Sequence, residues 1–184
     1  MKFSLLKGND RSALRATAAA LLVMAAAGAQ AADGTGTANA TVVRPIAIAN
    51  SSPHLRFGSF STTAAGQTVA ISTAGARNVS GAIGVGSGQN AFGAASFAVT
   101  GEGALTYTIT LPASPISITT GGGAPEETMS VGSFVSNPTG TGLLSGIAGT
   151  AGSQTLLVGA TLTTVANLVP GIYSGNFTVT VQYN

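Results

Sequence analysis

Few residues in this chain could perform acid–base, nucleophilic or metal chemistry. His54 is the sole histidine and cysteine is absent. A histidine acting as base or ligand needs an orienting carboxylate or further ligands. His54 instead follows Pro53 at the start of an apolar run, with no such partner nearby in sequence, and reads as a partly exposed side chain. Glu126 and Glu127 are adjacent, so on a strand they would face opposite ways and in a loop both would be solvated. A pair of catalytic carboxylates assembled from them with Glu102 or Asp33 has no support in the spacing. The nucleophile pattern G-x-S-x-G does not occur, and Gly84 to Gly88 (G-V-G-S-G) lacks the following helix that a phosphate loop requires. The residues thus predict no catalytic, cofactor-binding or metal-binding site, and the chain does not read as an enzyme.

The address comes from the amino end. Lys2, Lys7, Arg11 and Arg15 precede an apolar run from Ala16 to Ala29, and Ala29-Gln30-Ala31 supplies small residues. This is the pattern of a secretory signal peptide over 1–31, which places the protein outside the cytoplasm: in the periplasm, on the cell surface or in the medium. The run is too short to span a bilayer, and no later stretch approaches a spanning helix. The whole chain has a formal charge of +2, but the signal contributes four of its basic residues. What remains is Arg44, Arg56 and Arg77 against Asp33, Glu102, Glu126 and Glu127, one negative charge net. No basic cluster is left to hold phosphate, so nucleic acid is not an expected partner. Without cysteine there is no disulfide framework, and stability has to come from packing and sheet hydrogen bonds.

The elements that must supply that packing are read from alternation. From Tyr173 to Tyr183, Tyr173, Phe177, Val179, Val181 and Tyr183 share one face with Gly175, while Ser, Asn, Thr and Gln occupy the other. Period two held for eleven residues predicts a strand with one buried face, the core of the carboxyl end. Upstream, strands are expected at Ala40–Ala49, His54–Phe60, 66–73, 77–85, Ala95–Thr100, Leu105–Leu111, 115–120, Met129–Val135 and Gln154–Val165, with the last placing Leu156, Val158, Ala160 and Leu162 together. Gly101 to Gly103 reads as a turn, Gly121 to Pro125 as a loop, and Thr139 to Gly152 as one long Gly-rich loop. Short strands at roughly ten-residue spacing, without a helical period or an internal repeat, predict an all-β, antiparallel, immunoglobulin-like β-sandwich over 50–184. Residues 32–49 would form an N-terminal extension ahead of it.

Several stretches carry a resemblance. They are Leu55 to Phe60 (LRFGSF), Ala95 to Gly101 (ASFAVTG), Leu105 to Pro112 (LTYTITLP), Leu157 to Leu162 (LVGATL) and the ending Gly171 to Asn184 (GIYSGNFTVTVQYN). In this order they resemble a family of bacterial secreted domains known as domain of unknown function 4402. More distantly, the ending resembles spore-coat-U and archaic chaperone–usher pilins. That likeness implies an incomplete sandwich completed by strand exchange, with copies of itself or related subunits as partners, a periplasmic chaperone and an outer-membrane usher. The candidate donor strand is Ala38–Ala49, with Ala40, Val42, Ile46 and Ile48 as plugging residues. Its twelve residues reach about 40 Å at roughly 3.3 Å each. Arg44 and Pro45 interrupt it, and the same strand could instead complete its own sheet. The expectation is therefore a structural subunit of a fimbrial or surface assembly serving adhesion or biofilm. The alternative is a self-complete secreted sandwich that binds carbohydrate or protein through loops 121–128 and 139–152.

Overall fold

The computed structural model describes residues 31–62, 64–81, 84–85 and 91–184, with Gly84 and Val85 described in backbone only. The signal-peptide reading, apart from Ala31, and most of the glycine motif at 84–88 fall outside the described residues. The strands are β1 (Ala47–Ser51), β2 (Phe60–Ser61), β3 (Thr68–Ile71), β4 (Arg77–Ser80), β5 (Gly84–Val85), β6 (Ala95–Glu102), β7 (Thr106–Thr110), β8 (Ile116–Thr119), β9 (Thr128–Asn137), β10 (Thr141–Leu143), β11 (Ala151–Thr163) and β12 (Thr180–Tyr183). A single 3-10 turn, Pro125–Glu127, precedes β9. Every strand pairing is antiparallel.

β11 is the spine. Along one side it pairs first with β6, through Ala151–Val158, and then with β3, through Ala160–Thr163. Its other side carries β9, with a register shift between Gly159 and Thr161. Gly159 sits where β6 gives way to β3, and a Cβ there would run into the Ile71 carbonyl. Only glycine lets the two backbones meet. The irregularity bends β11, as bulges do, and the seven-stranded sheet curls into a half-barrel through β9 and β8 on one side and β3 and β4 on the other. A second sheet, in the order β10-β7-β12, covers the β1-β6-β11 portion, and β2 with β5 adds a two-residue ribbon. The fold is all-β and antiparallel, as the alternation predicts, and Val42–Asn184 make up one compact unit.

Two apolar clusters fill it. The first lies between the sheets and encloses Ala95, Val99, Tyr107, Ile109, Leu144, Leu156 and Val158. The second lies inside the curl and encloses Val69, Met129, Val131, Ala160 and Leu162. The sequence logic is plainest in β7, where Tyr107 and Ile109 are buried and Thr106, Thr108 and Thr110 are exposed. The Tyr107 hydroxyl donates to Gln154 Oε1 at 2.8 Å, which gives the one polar atom of a fully buried ring its partner.

Three expectations are corrected. The stretch 139–152 is not a single loop: β10 forms within it and β11 starts at Ala151. Backbone bonding to β7 makes a strand of residues that carry no apolar pattern, which shows pairing overriding composition. His54–Phe60 is not a continuous strand either. It holds an isolated bridge from Arg56 to Gly93 and then β2, with Gly58 at φ 76° breaking the extended run between them.

The third correction concerns the carboxyl end, where the ladder covers only Thr180–Tyr183 on β7, with a separate bridge from Ser174 to Thr119. Continuing the β12 register would set Thr178 against Pro112, which has no N–H to give. The burial alternation nonetheless continues through Phe177, Val179, Val181 and Tyr183. These four side chains are half-buried on the first cluster, and Tyr173 packs on the second. Full enclosure belongs to side chains of β3, β6, β7, β9 and β11, with Leu144 just after β10.

Candidate assembly site

β1 lies antiparallel on β6, with Ala47 opposite Thr100 and Ser51 opposite Ser96, and the two serine hydroxyls are 3.0 Å apart. Among the described residues no strand pairs with its other side. Among the four candidate plugging residues, Ile46 and Ile48 pack half-buried on the first cluster. Ala40 and Val42 are both exposed, Val42 at 95 %. The apolar alternation of the candidate donor is thus in use only from Ile46 onward, within the same chain.

The change happens at Arg44 and Pro45. Extending the β1–β6 register sets Pro45 opposite Glu102, where proline has no N–H for the ladder. The Glu102 carboxylate takes over. Its Oε2 accepts the Arg44 backbone N–H at 3.2 Å and the Arg44 guanidinium at 3.0 Å. Its Oε1 accepts the N–H of Gly149 from the β10–β11 loop. The Tyr183 hydroxyl closes the ring, accepting from the Glu102 N–H at 2.6 Å and donating to the Arg44 carbonyl at 2.9 Å. A Cβ on Gly101 would collide with that hydroxyl, so glycine is required beside it. Arg44–Glu102 is the one ion pair found among the described residues. Glu102 is only 5 % exposed, and its carboxyl is held below the usual value. The Arg44 backbone N–H is the main cause, joined by the Gly149 N–H and the guanidinium and opposed by burial.

This clasp joins the segment before β1, the end of β6, the β10–β11 loop and β12. Sequence reasoning missed it, treating Glu102 as part of a turn and Arg44 as an interruption. The available signal was the embedding of one carboxylate and one arginine in apolar alternation, since a buried charge persists only when paired.

A second contact group belongs to the first cluster. Phe177 meets Phe97 edge-on at 6.1 Å between ring centroids, and Phe134 at 5.2 Å. All three rings are half-buried, so the layer between the sheets is not fully closed at this point.

The other candidates sit apart from the clasp. His54 is exposed, with Nδ1 3.0 Å from the Asn50 side-chain amide nitrogen. Glu126 and Glu127 lie in the 3-10 turn, where Glu127 accepts the Ala124 N–H at 3.3 Å. The Tyr173 hydroxyl donates to the carbonyls of Glu126 and Val169, at 3.0 and 2.7 Å. Arg77 stacks on the exposed Phe92 ring, 4.5 Å from its centroid, and donates to the Phe57 and Ser59 carbonyls. No group of three His, Asp or Glu side chains converges among the described residues, and no helix there is long and apolar enough to cross a membrane.

No curated protein and no solved structure matches the chain. A family model does, from Ile46, the residue just before β1 that packs on the first cluster, to Tyr183, the far side of the clasp. The chain belongs to the family described as domain of unknown function DUF4402, matched over residues 46–183.

Proposed function

We propose that the protein is an exported structural subunit, pilin-like in principle, whose immunoglobulin-like sandwich is completed by strand exchange within a fimbrial or surface assembly serving adhesion or biofilm. The observation that carries this reading is the placement of β1. It is a five-residue strand at the edge of its sheet, bonded among the described residues to β6 alone, and it and the preceding residue lay Ile48 and Ile46 on a half-open apolar cluster. Main-chain pairing is indifferent to which molecule supplies the strand, so the same segment of a neighbouring copy could occupy that register. The exposed stretch before it, Gly34 to Val43, carries no charge and would link one subunit to the next. A subunit caught without β1 would expose the edge of β6 and the apolar cluster, an aggregation hazard. That hazard is the reason to expect a periplasmic chaperone and an outer-membrane usher as partners. The signal peptide read from residues 1–31 supplies the export.

The test removes the strand. A chain starting at Asn50 should be unstable alone, and a peptide of residues 38–49 should restore a cooperative melt. A truncated chain that melts cooperatively as a monomer without peptide would rule out strand exchange.

One observation favours the second reading. β1 is paired in cis along all five residues and completes its own sheet. A self-complete domain would then present the turns at 121–128 and 144–150 to a glycan or protein. A monomeric mature chain retained on a glycan column would support it.

A further inference from the structure

We infer that Glu102 is a charge-dependent clasp governing release of the N-terminal strand: its ionised carboxylate keeps β1 on β6 of its own chain, and neutralising it frees β1 while the half-barrel stays folded. This deepens the strand-exchange reading by naming what controls the exchanging strand. Its test uses the monomer alone, so either idea can fail without the other.

Three features of the geometry carry it. The carboxylate is nearly fully buried and accepts three N–H donors, two of them from Arg44, the residue just before Pro45 and β1. Those bonds replace the ladder bond that Pro45 cannot make, so the amino end of β1 is secured by this side chain rather than by sheet pairing. Finally, Tyr183 ties the Arg44 carbonyl to the end of β6 through one hydroxyl, so losing the carboxylate leaves β1 with one remaining tie at that end. None of these contacts touches the second cluster, whose enclosed residues come from β3, β9 and β11.

The groups facing the carboxylate are few. Arg44 faces it from the segment before β1, and Tyr183 from β12. The β10–β11 loop, Leu144 to Thr150, and strands β1 and β6 contribute no other ionisable side chain. Neutralisation therefore leaves the Arg44 cation without its counter-charge, while the N–H donors of Arg44 and Gly149 keep only a weaker acceptor. Protonation and the substitution Glu102→Gln remove the same charge at nearly constant shape. Both should act alike.

The experiment is amide hydrogen exchange on the mature monomer, read as protection factors so that intrinsic pH effects cancel. In Glu102→Gln at neutral pH, the amides of Ala47–Ser51 should exchange at least about tenfold faster than in the parent, with β3 and β9 unchanged, as expected of a local opening. The parent should show the same selective loss when acidified below the ordinary carboxylate range. Tyr183→Phe, which keeps the charge and removes the second tie, should give the same pattern to a smaller degree and stands in if Glu102→Gln does not fold. Unchanged β1 protection in both variants overturns the proposal. Equal loss of protection in β1, β3 and β9 also overturns it, because Glu102 would then support the whole fold rather than hold one strand.

Discussion

The two apolar clusters differ in what closes them. The one inside the curl is walled by segments from the middle of the chain, from Leu55 through Val79, Ile116 through Phe134, and Ala160 through Tyr173. The one between the sheets is closed along its rim by two segments: Ile46 with Ile48 of β1, and the carboxyl segment with Phe177, Val179, Val181 and Tyr183. Those closing residues are all half-buried, whereas Val69, Val131, Leu156, Val158 and Leu162 are at or below 1 % exposure. A core walled by mid-chain segments opens only when the domain unfolds. One rimmed by terminal edge strands can lose a strand and keep the rest. The strand-exchange proposal needs only the second kind of rim to open, and leaves the cluster inside the curl to hold the fold.

Core truncation gives the largest expected effects. Leu156→Ala in the first cluster and Leu162→Ala in the second should each cost about 2–5 kcal/mol, depending on how far the site relaxes, read by denaturant unfolding. The comparison predicts a further asymmetry in hydrogen exchange. Leu156→Ala should loosen β1 and β12 ahead of β3 and β9, and Leu162→Ala should not. Equal loosening of the terminal strands by both would break the distinction.

Next comes Tyr183→Phe. The buried Glu102 N–H loses its acceptor and the Arg44 carbonyl its donor, a cost of about 1–3 kcal/mol. The loss should concentrate in β1 and β12 rather than spread over the domain.

The pH dependence sharpens the same point. The Glu102 carboxyl is held below its ordinary value of 4.5, so the folded protein takes up that proton less readily than the unfolded chain. Its contribution to stability is complete above the ordinary value and disappears as pH falls through the lowered one. Acidification should therefore lower the melting temperature of the parent more than that of Glu102→Gln. Parallel declines would remove Glu102 from the account.

Arg77→Lys should have the smallest effect. It weakens the stacking on Phe92 and the fit to two carbonyls near β2, at about 0.5–1 kcal/mol, with no change in β1.

How far the sequence spoke for itself follows the same division. Strands with clean alternation and a continuous partner, β7 and β11 above all, stand where period two puts them, because one buried face fixes register. The carboxyl end kept its alternation and lost most of its ladder. Pro112 lies on another segment, and its position opposite Thr178 depends on a register that no local pattern reveals. β10 was invisible for the opposite reason, its strand character coming from β7 and not from its own Gly- and Thr-rich residues. The clasp was hidden because it joins residues 44, 102, 149 and 183, whose meeting depends on tertiary structure. The isolation of Arg44 and Glu102 in apolar stretches was the one trace of it.

Strand exchange requires β1 to leave its own sheet for that of a neighbour. Because the chain has no cysteine and the Ser51 and Ser96 hydroxyls face each other at 3.0 Å, single variants Ser51→Cys and Ser96→Cys can be mixed and assembled under mild oxidation. Strand exchange predicts disulfides joining one variant to the other, and predicts that the double variant, bridged within one chain, stops assembling. Mixed singles that never cross-link, together with a double variant that assembles as freely as the parent, would contradict it.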